Sequence, residues 1–279
     1  MFIGFGNKKE WQYVEETYPV FVQKVPLLFG TAKKLFDREI RGDAPVVDKV
    51  VFHLGFLCFE DFREILLLCA NGYGIGGSRI LRSLFEKAVT ADYLSTHPDE
   101  AENFLDYSWV HIRKTINHQR NGYKRDLLPA EEIEEINREY EKVKDKFQEP
   151  SCKKCGTTKP QMSWTKLDVG SMARAANSPL QSLYYFCYFL PTLQSHTTMP
   201  AIFERLVEGD EGHVYLSIEP QREDAKNALE RSHLIMLNVL NRQNEHFKLG
   251  IDEELWERAK DLEESWPDQN KENLVDKSK

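Results

Sequence analysis

The stretch that decides the fold of this chain is the strongly patterned run Gly77-Ser78-Arg79-Ile80-Leu81-Arg82-Ser83-Leu84-Phe85-Glu86-Lys87-Ala88-Val89-Thr90-Ala91-Asp92-Tyr93-Leu94. At about 100° per residue, one broad face of a helix collects the apolar side chains of Ile80, Leu81, Leu84, Phe85, Ala88 and Ala91. An apolar face of this width is typical of a helix that packs into a core. The stretch therefore predicts a central, buried α-helix.

The opposite side of the same helix carries Arg82, Glu86, Val89 and Tyr93. A stripe that mixes a cation, a carboxylate, an aliphatic side chain and a phenol is suited to lie against a second layer of helices. The simpler interpretation is an exposed ion pair between Arg82 and Glu86, which contributes about 0.3–0.5 kcal/mol. The pattern alone leaves both interpretations open.

The composition indicates a chain that folds around an ordinary hydrophobic core. Of its 279 residues 41% are hydrophobic, and its formal net charge is −8. This negative charge and the dispersed basic residues argue against sequence-independent binding to nucleic-acid phosphates. A local basic cleft that binds RNA is still compatible with the composition.

Cysteine usage and apolar run lengths indicate the compartment. The five cysteines are scattered among apolar helical segments, so they do not read as a disulfide framework and favour a reducing environment. No apolar run reaches the roughly 18 residues of a membrane span, and the N-terminal residues lack the order of a signal peptide. We expect a soluble, cytoplasmic protein with no membrane partner.

Helical periodicity recurs along most of the chain. Residues 46–70 are apolar nearly all round and predict a buried core helix, with His53 as a core residue. The predicted fold is an all-α antiparallel bundle of about eight to ten helices. It comprises an N-terminal helical extension at 1–45, a central helical bundle at 46–210, C-terminal helices at 220–266 and a disordered tail at 267–279.

A glycine-rich run precedes the central helix and matches the G-x-G-x-x-G pattern of dinucleotide sites through Gly72, Gly74 and Gly77. Such a site needs a strand before the glycines and repeated βα units after them. Helical periods lie on both sides here, so we interpret the glycines as a connection between helices. No dinucleotide cofactor is expected.

A break in the helical pattern contains Cys152-Lys153-Lys154-Cys155-Gly156, which resembles half of a zinc knuckle. A structural zinc ion needs four ligands, and the chain has no second Cys-x-x-Cys. One interpretation is an ordinary loop. The other is a zinc site at Cys152 and Cys155 that a distant His or a second chain completes. No other cofactor is expected.

The run Arg113-Lys114-Thr115-Ile116-Asn117-His118 has the spacing R-x4-H. An imidazole exchanges a proton near neutral pH, and a guanidinium stabilises the negative charge of a phosphorane. In this motif the chain resembles the HEPN-type ribonucleases, although Lys114 departs from their usual polar residue. The resemblance implies a homodimer in which Arg and His from two chains meet and cleave RNA without a metal ion.

A further helix is predicted after Ser178-Pro179, and Pro191 kinks or restarts it. Regular helical spacing places the side chains of four residues near one face, with Tyr188 at the edge of that face: Tyr185, Phe189, Thr192 and His196. The residues near His196 in the sequence are unusually polar, which makes His196 a candidate site residue.

The run Arg82-Ser83-Leu84-Phe85-Glu86 and the later Tyr188, Thr192 and His196 form a second set of motifs. In them the chain resembles family 5677 of the domains of unknown function, a set of mostly bacterial, all-helical proteins, over roughly residues 50–205. The resemblance matches the Arg and Glu of the family to Arg82 and Glu86, and its S-x-x-x-H to Thr192 and His196. It suggests one polar cluster within the bundle and implies no established reaction.

Two functions agree with these motifs. The leading hypothesis is a HEPN-like, metal-independent RNA-cleaving or nucleotide-acting protein of a bacterial stress or antiviral defence system, which acts as a homodimer. Its candidate catalytic residues are Arg113 and His118, or His196 with Arg82, Glu86, Thr192 and Tyr188. The alternative is a non-catalytic helical interaction module whose polar cluster fixes helix packing. Basic residues around the His favour the first function, and an exposed apolar surface favours the second.

Overall fold

Helices dominate the structure, a computed structural model that describes residues 6–151, 155–196, 198–209 and 213–267. Within these ranges it contains eleven α-helices and two short antiparallel hairpins, which confirms the all-α class with slightly more helices than expected. The helices are α1 (Lys8–Thr17), α2 (Pro19–Phe36), α3 (Val46–Ala70), α4 (Gly74–Thr96), α5 (Ala101–Tyr123), α6 (Ala130–Val143), α7 (Val169–Ala175), α8 (Leu190–Ser195), α9 (Met199–Phe203), α10 (Arg222–Phe247) and α11 (Asp252–Ser265). The strands are β1 (Gln148–Pro150), β2 (Thr158–Pro160), β3 (Leu206–Glu208) and β4 (Val214–Leu216).

The chain divides into two compact units. The main unit comprises Met1–Ser95 and Val169–Lys279, and the inserted unit comprises Thr96–Asp168. The domain boundaries expected from the sequence stay predictions, and of the predicted tail only Pro267 lies among the described residues. None of the helices in the described ranges combines the length and the apolar character that a membrane span requires.

Helix α4 is the buried centre of the main unit, as its sequence pattern predicts. Six of its apolar side chains are at most 1% exposed: Leu81, Leu84, Phe85, Ala88, Val89 and Leu94. Val89 and Tyr93 belong to the second stripe of the helix, and both are buried. The second stripe therefore packs against other parts of the main unit.

Glycines let neighbouring helices approach α4 closely. The helix begins at Gly74, so Gly74 and Gly77 are helical and only Gly72 precedes the helix, which corrects the prediction that all three glycines form a connection between helices. A Cβ atom on Gly74 would lie 2.4 Å from the backbone nitrogen of Ala225 and the backbone oxygen of Gln221, at the start of α10. A Cβ atom on Gly77 would lie 2.5 Å from the Sγ of Cys69 on α3. Packing thus accounts for both glycines.

Helix α3 differs from its prediction. The sequence predicts burial all round the helix, but Phe56, Leu57 and Leu67 are 39%, 40% and 65% exposed. His53 is exposed as well, so the prediction that it is a core residue is wrong. The physical reason is that an outer helix of a bundle keeps one face that no neighbouring helix covers, and apolar side chains occur on such faces.

The inserted unit has a hydrophobic core of its own. Helices α5 and α6 form a helical hairpin, and the strands β1 and β2 pair antiparallel with Gln148 opposite Pro160. Tyr107, Val110, Val143 and Phe147 form the buried core, and partly buried aromatic side chains pack against it. The hydroxyl of Tyr107 donates a hydrogen bond to the carbonyl oxygen of Gln161 at 2.7 Å.

Short elements fill the chain between α7 and α10. A 3₁₀ turn (Pro179–Leu183) leads into a π-helical turn (Tyr185–Phe189), and α8, α9 and the β3–β4 hairpin follow. Ser178 caps the 3₁₀ turn, because its Oγ accepts a hydrogen bond from the Leu180 amide. In the hairpin, Leu206 pairs with Leu216.

Candidate functional site

Arg82 is the centre of a polar cluster in the main unit. Its Nε donates to the Oγ1 of Thr192 at 2.9 Å, and its Nη1 donates to a carboxylate oxygen of Glu86 at 3.1 Å. Its Nη2 donates to the hydroxyl of Tyr188 at 3.0 Å, and its Cζ lies 4.5 Å from the centroid of that ring. All three guanidinium nitrogens thus bind a partner. The cluster attaches the segment that contains Tyr188 and Thr192 to α4.

Tyr188 belongs to the π-helical turn Tyr185–Phe189, and this turn decides which aromatic side chains point inward. A π turn contains one residue more than an α turn and changes the direction of the side chains that follow. Tyr188 contacts Arg82, whereas Tyr185 and Phe189 are 51% and 44% exposed. Tyr185 and Phe189 share a face as predicted, since their rings stack with centroids 5.7 Å apart. Thr192 does not belong to that face, because regular α-helical spacing does not hold here and its hydroxyl binds Arg82.

The cluster is partly open to solvent. The side chains of Arg82 and Glu86 are 29% and 44% exposed. Burial raises the pKa of the Tyr188 hydroxyl, the Glu86 carboxylate raises it further, and the Arg82 cation opposes both. Tyr188 therefore stays a neutral phenol at neutral pH and accepts the hydrogen bond from Arg82. A connected set of hydrogen bonds like this one holds its side chains in fixed positions.

Thr192 and His196 lie one helical turn apart, but only Thr192 takes part in the cluster. The Oγ1 of Thr192 accepts the hydrogen bond from Arg82 and donates to the carbonyl oxygen of Tyr188 at 2.6 Å. His196 follows the last residue of α8, and its side chain is exposed. Among the described residues the structure assigns its imidazole no hydrogen bond and no ion pair. The catalytic role of His196 stays a prediction.

Arg113 and His118 lie on α5, in the inserted unit, whereas the Arg82 cluster belongs to the main unit. Five positions on an α-helix separate side chains by about 140°, so the two residues do not share a face. His118 is exposed, and the Nη1 of Arg113 is a buried atom for which the described part of the chain offers no hydrogen-bond partner. One α5 helix alone does not bring these two side chains together.

The candidate zinc residues are only partly described. Cys152 lies outside the described residues, so a zinc site at Cys152 and Cys155 stays a prediction. The Sγ of Cys155 lies 3.2 Å from the Oγ1 of Thr157, a contact that agrees with the ordinary loop as well. In the ranges that the structure describes, no three His, Cys, Asp or Glu side chains are grouped to hold a metal ion.

A family model covers most of the helices described above. The model of a family of unknown function, DUF5677, matches residues 48–213, which is more than half of the 279 residues. The chain belongs to DUF5677. No curated protein and no solved structure is significantly similar to it. The DUF5677 match contains every residue of the Arg82 cluster, together with His196, Arg113 and His118.

Helix α10 lies beyond the DUF5677 match, yet it supplies a partner to the central DUF5677 helix. The Nε of Arg242 donates to a carboxylate oxygen of Asp92 on α4 at 2.9 Å, and the hydroxyl of Ser178 donates to the other oxygen. Burial raises the pKa of Asp92, while Ser178 and Arg242 oppose that shift. Part of the polar environment of the DUF5677 core therefore comes from outside the matched region.

A second polar cluster of this DUF5677 chain was missed by sequence reasoning. The Nζ of Lys87 donates to the Oδ2 of Asp61 and to the Oγ of Ser83, each at 2.6 Å. The i,i+4 spacing of Ser83 and Lys87 was a signal for their contact. Asp61 lies on α3, so its contribution depends on the packing of α3 against α4. The cluster links these two helices.

Proposed function

We propose that this DUF5677 protein is a helical interaction module that binds a protein partner through an exposed apolar segment. The apolar segment comprises the described residues of the range 185–218. In this proposal the Arg82 cluster has a structural role, because it holds the first part of the segment on α4. The observation that carries the proposal is the concentration of exposed apolar side chains in the segment.

The apolar segment differs from the rest of the surface. Of the 26 large apolar side chains that are exposed among the described residues, twelve lie in this segment, although it is about an eighth of the described chain. Exposed apolar side chains that occur singly need no explanation, whereas a concentration of them is typical of interaction sites. The twelve are Tyr185, Phe186, Phe189, Met199, Ile202, Phe203, Leu206, Val207, Val214, Tyr215, Leu216 and Ile218.

The Arg82 cluster and the exposed aromatic side chains belong to the same short stretch. Tyr188 and Thr192 bind Arg82, while Tyr185, Phe186 and Phe189 are each about half exposed. Aromatic side chains supply large contact areas at interfaces and lose little conformational entropy on binding. Because Arg82 holds their backbone in place, a partner that binds them does not have to order that part of the segment. This arrangement supports an interaction role for the segment.

Photo-cross-linking in cells that contain the chain tests the proposal. A photoreactive residue at Phe186 or at Phe189 should give one defined adduct, and mass spectrometry should identify the same second component at both positions. A photoreactive residue at Leu67, an exposed residue of α3, is the matched control and should give no adduct. Recovery of only uncross-linked chain, or the same adduct from Leu67, contradicts the proposal.

A second candidate function is HEPN-like, metal-independent cleavage of RNA, or action on a nucleotide, in a bacterial stress or antiviral defence system. It is supported by the exposed imidazole of His196, one helical turn from Thr192 in the Arg82 cluster. An imidazole can accept the proton of a ribose 2′-hydroxyl, and a guanidinium can stabilise phosphorane charge. Arg82 keeps one N–H on each of Nη1 and Nη2 for this purpose. In the homodimer of this hypothesis, Arg113 and His118 are the alternative catalytic pair.

Growth and RNA integrity after induced expression test the second function. We compare the wild-type chain with Arg113→Ala/His118→Ala and with His196→Ala at equal protein levels. Arrest with cleaved RNA, relieved by one variant, would establish an enzyme and identify its site. Normal growth and intact RNA in all three would count against this function.

Glu86→Gln separates a structural cluster from a catalytic one. The substitution removes the charge that pairs with Arg82 but keeps the shape of the side chain. If the cluster is structural, the variant unfolds at a lower denaturant concentration than the wild type and keeps any RNA-cleaving activity. If the cluster is catalytic, the activity falls by more than the loss of folded protein explains.

A further inference from the structure

We infer that the partner of the apolar segment is a second copy of this chain, whose strand β4 pairs antiparallel with β4 about a twofold axis at Tyr215. The inference rests on the proposed interaction role and names its partner. Two β3–β4 hairpins would then form one four-stranded sheet. The hydrogen-bond pattern of the hairpin, the charges of its strands and the exposed apolar area carry the inference.

The hydrogen bonds of the hairpin show which backbone groups of β4 are open. The Ser217 amide donates to the Arg205 carbonyl at 2.7 Å, and the Gly209 amide donates to the His213 carbonyl at 2.7 Å. In an antiparallel pair, successive residues alternate between facing the partner strand and facing away from it. Tyr215 therefore bonds toward β3, whereas Val214 and Leu216 direct their N–H and C=O groups to the outer edge. The described sheet has only two strands, so that edge has no strand beside it.

The outer edge of β4 is complementary to itself. A twofold axis at Tyr215 places Val214 opposite Leu216 of the partner subunit, with two N–H···O bonds in that pair. The symmetry-related pair doubles this to four hydrogen bonds. The two Tyr215 residues lie opposite each other in a pair without hydrogen bonds, where side chains are closest. Aromatic and aliphatic cross-strand pairs of this kind stabilise sheets.

Charge favours β4 over β3 as the paired edge. Strand β4 contains only Val214, Tyr215 and Leu216, so no charged side chain lies on the strand that would pair with its copy. Strand β3 ends in Glu208, and self-pairing about Val207 would place each Glu208 opposite a Leu206. Natural edge strands are usually protected by charges, by Pro or by a covering segment. The β4 edge has none of these among the described residues, and a second β4 strand would cover it.

The apolar segment as a whole exposes an area of the size that a stable dimer interface buries. All six residues of β3 and β4 are exposed, so neither face of the hairpin is buried in the core. A two-stranded hairpin without such burial has only marginal stability, and pairing with a second hairpin would stabilise it. A fully exposed aromatic side chain presents about 150–250 Å², so twelve large apolar residues near half exposure present on the order of 1,000 Å². A stable interface buries about 800 Å² per partner. The exposed area of the whole segment is therefore compatible with a second copy as the partner.

Paired proline substitutions test the inference on the full-length chain. Leu216→Pro removes an N–H from the outer edge of β4, while Leu206→Pro removes an N–H from the outer edge of β3, so neither disturbs the bonds between the two strands. Sedimentation should show a dimer for the wild type and for Leu206→Pro, and a monomer for Leu216→Pro with an unchanged circular dichroism spectrum. A monomeric wild type, or equal behaviour of the two variants, overturns the inference.

A disulfide at the twofold axis tests the same geometry by covalent capture. Opposed residues in a pair without hydrogen bonds have Cα atoms about 4.5 Å apart, which a disulfide can span. Tyr215→Cys should give a covalent dimer on mild oxidation, in which mass spectrometry finds the peptide with the substituted position linked to its own copy, whereas Val207→Cys should not. No such peptide, or equal linkage in both variants, contradicts the pairing. If these tests fail while Phe186 cross-links to a different protein, the interaction role stands and only the identity of the partner is wrong.

Discussion

At the scale of single residues, His233 on α10 shows how burial changes chemistry in this protein. It is 1% exposed, and its ring centroid lies 5.6 Å from that of Phe21. Its Nδ1 accepts a hydrogen bond from the Nε1 of Trp266 at 3.2 Å, which leaves the ring proton on Nε2. Burial lowers the pKa of His233 from 6.5 to about 4, although the Asp261 carboxylate opposes the shift. The folded state thus holds a neutral imidazole.

This pKa difference predicts that acid destabilises the fold. The unfolded imidazole binds a proton near pH 6.5 and the folded one only near pH 4. The stabilisation from His233 is therefore fully present above pH 6.5 and is lost as the pH falls through this window toward 4. For each unit that the pH falls within the window, the free energy of unfolding should decrease by about 1.4 kcal/mol. Urea unfolding at several pH values measures it. His233→Asn, which keeps an acceptor for Trp266, should flatten the profile by that slope, and parallel profiles would refute the assignment.

At the scale of elements, the glycines of α4 show why a motif needs its structural context. Gly72, Gly74 and Gly77 match a dinucleotide pattern in spacing, yet Gly74 and Gly77 meet α10 and α3 at distances that leave no room for a Cβ atom. Gly76 lies between them in the same helical turn, and the nearest side-chain atoms to its Cβ position are 3.6 Å away or farther. Close packing therefore requires a glycine at positions 74 and 77 but not at position 76.

Gly74→Ala and Gly76→Ala should change stability in opposite directions. At Gly74 a methyl group meets backbone atoms of Gln221 and Ala225, and overpacking of this kind costs about 1–3 kcal/mol. At Gly76 the methyl group meets ordinary contacts, and replacement of a helical Gly by Ala stabilises by about 0.5–1 kcal/mol. Denaturant unfolding of both variants measures these changes. Equal effects would show that close packing does not explain Gly74.

Elements with strong periodicity were predictable, and those with irregular backbone were not. The period of the apolar residues from Ile80 to Ala91 determined both the existence of α4 and its buried face. No comparable pattern predicted the π turn at Tyr185–Phe189, and local periodicity contains no information on the hydrogen bond of Tyr188 to Arg82, 106 positions away. Helix α3 shows a related limit, since the apolar character of Phe56 and Leu67 does not reveal that both side chains stay partly exposed.

At the scale of the whole molecule, the chain contains two compact units, and each has buried apolar side chains of its own. The core of the main unit includes Phe62 and Leu84, both 0% exposed. The core of the inserted unit includes Tyr107 and Phe147. Separate cores of this kind are expected to open as separate cooperative units.

Phe147→Ala should therefore loosen the inserted unit selectively. Loss of a buried Phe side chain costs about 3–5 kcal/mol. Hydrogen exchange followed by mass spectrometry should show faster exchange in α5 and α6, with little change in α3 and α10. Phe62→Ala in α3 is the matched control and should give the reverse pattern. Equal acceleration in both units for either variant would mean that they unfold together.

The candidate site was only partly predictable from the sequence. The i,i+4 spacing predicted the contact of Arg82 with Glu86, because residues four positions apart are neighbours on any α-helix. The bonds of Arg82 to Tyr188 and Thr192 join residues more than 100 positions apart, and local spacing contains no information on such distances. The family resemblance suggested this convergence. The roles of these residues in function stay predictions.

The sequence by itself determined the all-α class, the central position of α4 and the membership in DUF5677, because each follows from local periodicity or from motifs along the chain. Only the tertiary structure decided which side chains of residues 185–218 point inward and which face solvent. Burial depends on the neighbours that packing brings to a side chain, and Tyr188 and Phe189 are adjacent in sequence yet differ in this respect. The same packing left the edge of β4 open, and no pattern of residue types specifies an open edge.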